Sequence, residues 1–144
     1  GKKFPGRKIV IIGGGSVGCE TADYLAPLIN DLFSTNRDIT LIEMTNGLMT
    51  GESGATKSLL TRRMMEKGVK IELDSKITYV DETTIKYEKN NQEYVLNDVD
   101  TLVFAVGYQP ISSPIENAHL IGDCQKVGTL KDAISQAYQI TKEI

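Results

Sequence analysis

The chain has 144 residues, of which 40% are hydrophobic and 24% are charged, and its formal net charge is -3. This length and composition predict one compact globular domain by default and exclude a fibre or a largely disordered chain. The acidic charge balance also argues against a nucleic-acid partner, because binding to a phosphate backbone requires a basic face.

The first predicted elements are a strand and a helix in direct succession. Residues 8–12 form an apolar run that is typical of a strand buried on both faces of a sheet. From Ser16 the apolar residues recur at near-helical spacing as far as position 33. Pro27 interrupts this pattern and removes a backbone donor, so we expect the helix to be kinked or divided there.

The next two predicted elements are again a strand and a helix. Residues 38–43, with the sequence DITLIE, predict a second strand that ends in the carboxylate of Glu43. Residues 53–67 predict a helix that Gly68 closes in a left-handed conformation. The side chains expected on its inward face are Leu59, Leu60, Met64 and Met65.

Short β segments follow before the chain returns to the sheet. Residues 69–74 alternate apolar and charged side chains, and residues 76–96 predict three short strands separated by turn residues. The apolar residues 100–106 predict a last parallel strand, which ends at Gly107. The predicted fold class is therefore α/β, with a Rossmann-like parallel sheet, helices on both faces and a three-stranded antiparallel β-meander crossover.

The chain ends in a predicted strand and a predicted helix. The strand begins at His119, which we expect at the surface or in a structural hydrogen bond. Cys124 is expected to fill space at the end of this strand, as Cys19 does in the first helix. Residues 129–144 predict a helix with a packing face formed by Leu130, Ala133, Ile134, Ala137 and Tyr138.

The two cysteines are far apart and offer neither a redox pair nor the spacing of a metal site. We therefore expect a reducing, cytoplasmic location. The sequence has no apolar run long enough to span a bilayer and no signal-peptide pattern, so no membrane partner is expected. Because the chain opens without a methionine, we expect it to be a piece of a longer protein.

A glycine-rich stretch, GGGSVG, joins the first strand to the first helix. Glycines at its first, third and sixth positions match the dinucleotide-binding fingerprint, which needs a tight turn, close approach of a pyrophosphate and close helix–strand packing. A side chain at Gly15 would occupy the place of the phosphate, and the amino end of the helix attracts the anion. The predicted binding residues here are Gly13, Gly14, Gly15, Ser16, Val17 and Gly18. A tight turn without a ligand is the alternative interpretation.

Glu43 supplies the acid that this fingerprint requires at the tip of the second strand. A carboxylate there accepts hydrogen bonds from the adenosine ribose and repels a 2′-phosphate. Met44 and the two residues after it supply no arginine for such a phosphate. The sequence therefore predicts a preference for NAD(H) over NADP(H).

Four segments carry a resemblance to a known family: IVIIGGGSVGCETADYL, ITLIEM, DTLVFAVGYQP and HLIGDCQKVGTLKDAISQAYQI. In this order they resemble the second half of flavoprotein reductases with two dinucleotide-binding domains. Within that superfamily they are most similar to the carboxyl-terminal part of NADH:flavin oxidoreductases of the 2,4-dienoyl-CoA reductase and old-yellow-enzyme group.

The resemblance implies two domains and several site residues. Residues 1–110 would form the NAD-binding domain, and residues 111–144 a shortened linker and a strand–helix fragment of the flavin-type domain. Further cofactor-binding residues would be Glu20, near the nicotinamide, the return crossing Ala105, Val106 and Gly107, and Asp123 of the flavin-type half. From the residues alone, a turn-capping role for Asp123 is equally open.

The leading functional hypothesis is a domain that holds NADH for hydride transfer to a flavin, with no catalytic side chain of its own. FAD or FMN would belong to the remainder of a larger flavoenzyme, without tight binding to this chain. One alternative is a non-catalytic NADH sensor or docking module. The other is an S-adenosylmethionine-dependent methyltransferase, against which the meander and the return crossing speak.

Overall fold

The computed structural model describes residues 4–27, 36–111 and 115–142. The chain divides into two compact units, the first unit Gly1–Val106 and the second unit Gly107–Ile144. This division falls four residues before the domain boundary predicted after residue 110, which stays a prediction.

A four-stranded parallel sheet forms the centre of the first unit. Its strands are β1, Lys8–Ile12, β2, Asp38–Ile42, β3, Lys70–Glu72, and β7, Thr101–Phe104. They lie in the order β3-β2-β1-β7, so β1 is hydrogen-bonded on both sides. This arrangement explains the continuous apolar run of β1, since a strand buried on both faces has no solvent side.

Both described helices of the first unit pack on one face of this sheet. They are α1, Ser16–Leu25, and α2, Gly54–Glu66. The inward side of α2 is narrower than its sequence predicted, because Leu60 and Met64 are buried whereas the other two side chains are exposed. The exposed pair, Leu59 and Met65, corrects that prediction. The core on this face includes Ile9, Ile11, Ile39, Leu41, Cys19, Ala22, Leu60 and Met64.

An ion cluster also joins the two helices. Asp23 of α1 is 7% exposed and pairs with Arg63 of α2 and with Lys67 at the end of that helix. The hydrogen bond from Arg63 holds the pKa of Asp23 below its ordinary value. The carboxylate therefore stays charged at the helix interface, where an unpaired charge would be costly.

The opposite face of the sheet is covered by the β-meander. Its strands are β4, Ser75–Val80, β5, Ile85–Lys89, and β6, Gln92–Leu96, which pair antiparallel in that order. Ile85 and Tyr87 point inward from β5 and join a core with residues of β1 and β2. The predicted fold class is confirmed, with one difference in detail. In the described part of the first unit, the meander takes the face where a helix was also expected.

The first helix ends earlier than the apolar pattern predicted. α1 ends at Leu25, and Ala26 already has an extended conformation with ψ 146°. Pro27 explains this ending, because a proline disfavours a helical conformation in the residue before it. The continuation predicted over Leu28, Ile29, Leu32 and Phe33 lies outside the described residues.

The second unit contains a short 3-10 helix, Gly122–Cys124, and the helix α3, Leu130–Ile140. Thr129 and Asp132 cap α3 with reciprocal side-chain hydrogen bonds, the capping-box arrangement. The strand predicted from His119 is wrong, since residues 115–142 contain no strand. A strand needs a neighbour for its backbone groups, and this part of the chain supplies none.

Cys124 consequently does not fill space at a strand end but lies exposed in the 3-10 helix. His119 is exposed, as predicted.

Among the helices in the described ranges, none has the length and apolar character needed to cross a membrane.

Candidate functional site

The glycine-rich stretch continues the central strand of the sheet. The Gly13 N–H donates to the Ile42 carbonyl at 2.9 Å, and the Ala105 N–H donates to the Ile12 carbonyl at 2.8 Å. Gly13 has φ +108°, and a Cβ there would lie 2.2 Å from the Ala105 oxygen. Glycine is therefore required at this position both by its conformation and by the close return crossing.

Gly18 is required for a different reason. A Cβ at this position would lie 1.9 Å from the Gly13 carbonyl oxygen and 3.3 Å from the Ala105 Cβ. The absence of a side chain lets α1 lie directly against the turn and β7. The structure thus shows the close helix–strand packing that the sixth position of the fingerprint predicted.

Gly15 differs from both, because no atom of the described chain lies within 4 Å of a Cβ built there. Its φ of -69° is available to any residue, and no side-chain hydrogen bond caps the amino end of α1. The first N–H groups of a helix have no partner within the helix. Internal packing therefore does not account for glycine at this position, which lies where a bound anion would meet the helix.

Glu43 directly follows β2 and supports the turn. Its carboxylate accepts hydrogen bonds from the Gly14 N–H at 2.6 Å, the Thr45 N–H at 2.8 Å and the Thr45 hydroxyl at 2.9 Å. Burial acts to raise the pKa of Glu43, but these hydrogen bonds outweigh it and hold the pKa below its ordinary value. They use most of the roughly four acceptor positions of a carboxylate.

The loop 44–53 between β2 and α2 packs against the same turn. Leu48 and Met49 are buried, and the Met49 N–H donates to the Gly14 carbonyl at 2.7 Å. The Gly14 residue is thus held at its N–H by Glu43 and at its carbonyl by this loop. Beyond Met49, the Glu52 carboxylate accepts a hydrogen bond from the Ser16 hydroxyl at 2.7 Å.

Sequence reasoning missed this loop. Leu48 and Met49, an apolar pair between Gly47 and Gly51, could have indicated a loop folded onto the core. No pattern pointed to Glu52, because loop residues follow no periodicity that places their side chains.

The structure brings most of the predicted binding residues together at the carboxyl end of the sheet. The residues grouped around the turn are Gly13, Gly14, Gly15, Ser16, Gly18, Glu43 and Ala105. Val17, Met44 and Val106 are exposed by 53%, 70% and 70%, and Glu20 is exposed on α1. Gly107 and Asp123 belong to the second unit, which is described separately.

Asp123 caps a turn within the second unit. Its carboxylate accepts a hydrogen bond from the Gly128 N–H at 3.1 Å. The turn-capping role that the sequence left open is therefore present in the structure. A cofactor role for Asp123 stays a prediction.

Cys19 is completely buried, which confirms its predicted packing role. Its thiol donates to the Gly14 carbonyl at 3.4 Å. Burial, together with the charges of Glu43 and Glu20, raises the pKa of the thiol to about 11. The group is therefore protonated at neutral pH and is not a nucleophile.

Solved structures share this fold. A 2-naphthoyl-CoA reductase in complex with 2-naphthoyl-CoA matches with a TM-score of 0.73 and 20% identity, over 99% of this chain and 22% of that chain. NDH2 from Plasmodium falciparum in complex with NADH matches with a TM-score of 0.57 and 17% identity, over 71% of this chain and 22% of that one. At these identities the likeness shows the fold alone.

Curated relatives match along nearly the whole chain. The cinnamate reductase of Clostridium sporogenes is 30% identical over 99% of this chain, and the NADH oxidase of Thermoanaerobacter brockii is 23% identical over 96%. The chain spans 22% and 21% of the length of these two relatives. The family model for pyridine nucleotide-disulphide oxidoreductases matches residues 2–137. The chain belongs to the pyridine nucleotide-disulphide oxidoreductase family, whose members use flavin and pyridine nucleotide cofactors.

Proposed function

We propose that the first unit binds NAD(H) and holds it for hydride transfer to a flavin in the rest of a larger enzyme. The observation that carries this proposal is Gly15, where the backbone is open to solvent beside the uncapped amino end of α1. A diphosphate can approach there as closely as the fingerprint requires. The nicotinamide would supply the hydride, and the protein would supply binding and orientation.

The residues around the turn would divide this work. The N–H groups at the start of α1 would bind the diphosphate, and Glu43 would orient the adenosine ribose beside Met44. Glu43 would do so with the acceptor capacity that Gly14 and Thr45 leave free. The return crossing Ala105, Val106 and Gly107 and the exposed Glu20 would lie along the nicotinamide half. Asp123 would contact the flavin in the parent enzyme.

The parent enzyme would resemble the 2,4-dienoyl-CoA reductase and old-yellow-enzyme group. Support comes from the cinnamate reductase. The match to this relative covers 99% of this chain but 22% of the reductase. In such a protein, FAD or FMN and the substrate would be bound largely by parts outside this chain. The partner of this chain would be that remainder of the enzyme, and the enzyme would lie in the cytoplasm. It would bind neither nucleic acid nor a membrane.

Of the two alternatives, membership of an oxidoreductase family speaks against a methyltransferase. A sensor or docking module would bind NADH without passing on hydride. Mixing the chain with the separately produced flavin-containing remainder and following NADH absorbance distinguishes this alternative from the main proposal. Oxidation of NADH beyond the rate of the remainder alone supports hydride transfer, and unchanged NADH absorbance supports the sensor.

The central test is Gly15→Ala, measured by calorimetric titration of the chain with NADH. We expect affinity to fall by about tenfold or more, equivalent to about 1.4 kcal/mol, because the added methyl group occupies the space of the diphosphate. Folding should be little affected, since a Cβ at this position meets no atom of the described chain.

Gly54→Ala is the matched control, because a Cβ there also meets nothing and Gly54 also lies at a helix start. This variant should bind NADH as the unmodified chain does. Absence of NADH binding by the unmodified chain would contradict the proposal, as would equal binding by the Gly15→Ala variant.

The preference for NADH over NADPH is tested best at Met44. Replacing Glu43 would also remove the hydrogen bonds to Gly14 and Thr45, whereas Met44 is 70% exposed beside them. Met44→Arg should therefore raise NADPH affinity by about fivefold, through one added charge pair near 4 Å in water, and leave NADH affinity nearly unchanged. Equal affinities of the unmodified chain for both nucleotides would contradict the role of Glu43.

A further inference from the structure

We propose that Glu52 competes with the diphosphate of a dinucleotide at the amino end of α1. Its carboxylate binds the Ser16 hydroxyl until a dinucleotide binds and displaces it. The proposal rests on the proposed function, because the site concerned is the same amino end of α1. It adds a residue that sets affinity, which neither the glycine fingerprint nor the acid at the strand tip includes.

The first observation is the position of the Glu52 carboxylate. Ser16 is the first residue of α1, and its hydroxyl donates to Glu52 at 2.7 Å. A negative group at the amino end of a helix is stabilised by the helix dipole and by the unpaired N–H groups. Glu52 therefore places a negative charge on the Ser16 hydroxyl, beside the uncapped amino end of α1 that would attract a diphosphate.

The second observation is that residues 4–27, 36–111 and 115–142 supply no other side-chain anchor for this carboxylate. Within the described ranges, no lysine or arginine forms an ion pair with Glu52. The Glu52 side chain is exposed, and the bond from the Ser16 hydroxyl is the one hydrogen bond that it accepts in the part of the chain that the structure describes. Its charge would thus remain uncompensated beside a bound diphosphate, and the two anions would repel each other.

The third observation shows how Glu52 can leave. Met49 and Ser53 fix the segment on both sides, the first through the Gly14 carbonyl and the second as the amino-terminal cap of α2. Between them, Thr50, Gly51 and Glu52 are all exposed, and Gly51 has φ +105°. The Glu52 N–H also donates to the Met49 carbonyl at 3.1 Å. Rotation of the exposed Glu52 side chain alone would therefore release Ser16 without disturbing the buried Leu48 and Met49.

The experiment compares Glu52→Gln with the unmodified chain by calorimetric titration with NADH, ADP and adenosine. We expect the variant to bind NADH and ADP about five- to tenfold more tightly, the effect of removing one charge near 4 Å in water. Affinity for adenosine, which has no phosphate, should stay unchanged. The gain should shrink at high salt, because exposed charges are screened there.

Two further variants make the result specific. Glu82→Gln removes another exposed carboxylate, from a turn of the meander. This turn lies near the amino end of β7, because the Val99 N–H donates to the Thr83 carbonyl at 2.9 Å. It should leave all three affinities unchanged. Glu52→Asp keeps the charge and should keep NADH affinity close to that of the unmodified chain.

Each outcome decides between the proposals. If the unmodified chain binds NADH but Glu52→Gln binds it no more tightly, the competitor role is wrong and the proposed function stands. An equal gain for adenosine, or an equal gain from Glu82→Gln, also overturns the competitor role. If neither the unmodified chain nor any variant binds NADH or ADP, the proposed function fails and the competitor role fails with it.

Discussion

The two units of the chain obey the same local rules but differ in what they bury. In the first unit the sheet is covered on both faces, and Ile9 and Ile11 are completely buried. In the described part of the second unit no residue is buried. Yet α3 carries a regular apolar stripe: Leu130, Ile134 and Tyr138, exposed by 78%, 60% and 62%.

Side-chain capping of a helix, by contrast, occurs in both units. Ser53 caps α2 with its side chain, and Thr129 caps α3 through a complete capping box. A cap needs only residues within one turn of the helix, whereas a core needs a second element to pack against. A correct helix with an apolar face therefore does not by itself indicate a core within the same chain.

The strongest test of the well-packed unit is Gly18→Ala. The added methyl group would meet a backbone oxygen at 1.9 Å, so we expect a loss of about 3 kcal/mol in the free energy of unfolding. Chemical denaturation followed by circular dichroism measures this loss. Gly15→Ala is the control and should cost less than about 1 kcal/mol; equal losses from both variants would contradict the packing role of Gly18.

The next largest effect is expected from Glu43→Gln. The amide cannot replace both carboxylate oxygens as acceptors for Gly14 and Thr45. Because hydrogen bonds to a charged group are worth about 1.5–3 kcal/mol, the free energy of unfolding should fall by roughly that amount. Glu82→Gln should stay within about 0.5 kcal/mol of the unmodified chain. No loss at Glu43 would show that the turn does not depend on this carboxylate.

The same carboxylate predicts a smaller, pH-dependent effect. The folded pKa of Glu43 is lowered, so its stabilisation is present above its unfolded value of about 4.3. The stabilisation is lost as the pH falls through that value toward the folded pKa. The free energy of unfolding, measured by denaturation between about pH 3 and 7, should fall less steeply toward acidic pH in Glu43→Gln than in the unmodified chain. Asp23, also with a lowered pKa, titrates in both proteins and cancels in this comparison.

The smallest effect is expected in the second unit. Ile134 is 60% exposed in α3, so Ile134→Ser should change the free energy of unfolding by no more than about 0.5 kcal/mol. Thermal denaturation by circular dichroism provides the measurement, with Leu60→Ser of α2 as the buried counterpart. A loss at Ile134 as large as that at Leu60 would abolish the contrast between the units.

The sequence predicted those features of the fold that depend on periodicity and on chain chemistry. The apolar run of β1, the three short strands of the meander and the end of α2 at Gly68, with φ +80°, are of this kind. The sequence-based prediction failed where burial or strand pairing depends on a neighbouring element. Leu59 and Met65 continue the apolar pattern of α2 but find no surface to pack against, and the strand expected from His119 has no partner strand in residues 115–142.

The candidate site shows the same division. The positions of Gly13 and Gly18 follow from their own chemistry, because only glycine fits the turn and the crossing. The several hydrogen bonds of Glu43 depend on how the loop 44–53 returns to the turn. Loop conformation is set by contacts distant in sequence, so neither these bonds nor the contact between Glu52 and Ser16 had a signal in the sequence.

The place of the glycine turn at the end of β1 has a consequence for its hydrogen exchange. The Gly13 and Ala105 amides extend the two ladders on either side of the central strand, so they can exchange with deuterium only when the sheet opens. The amides of Thr50 and Gly51, in an exposed segment, should exchange far earlier. The protected and the rapidly exchanging amides of the candidate site would thus differ in exchange rate by orders of magnitude, although the loop and the turn are in direct contact.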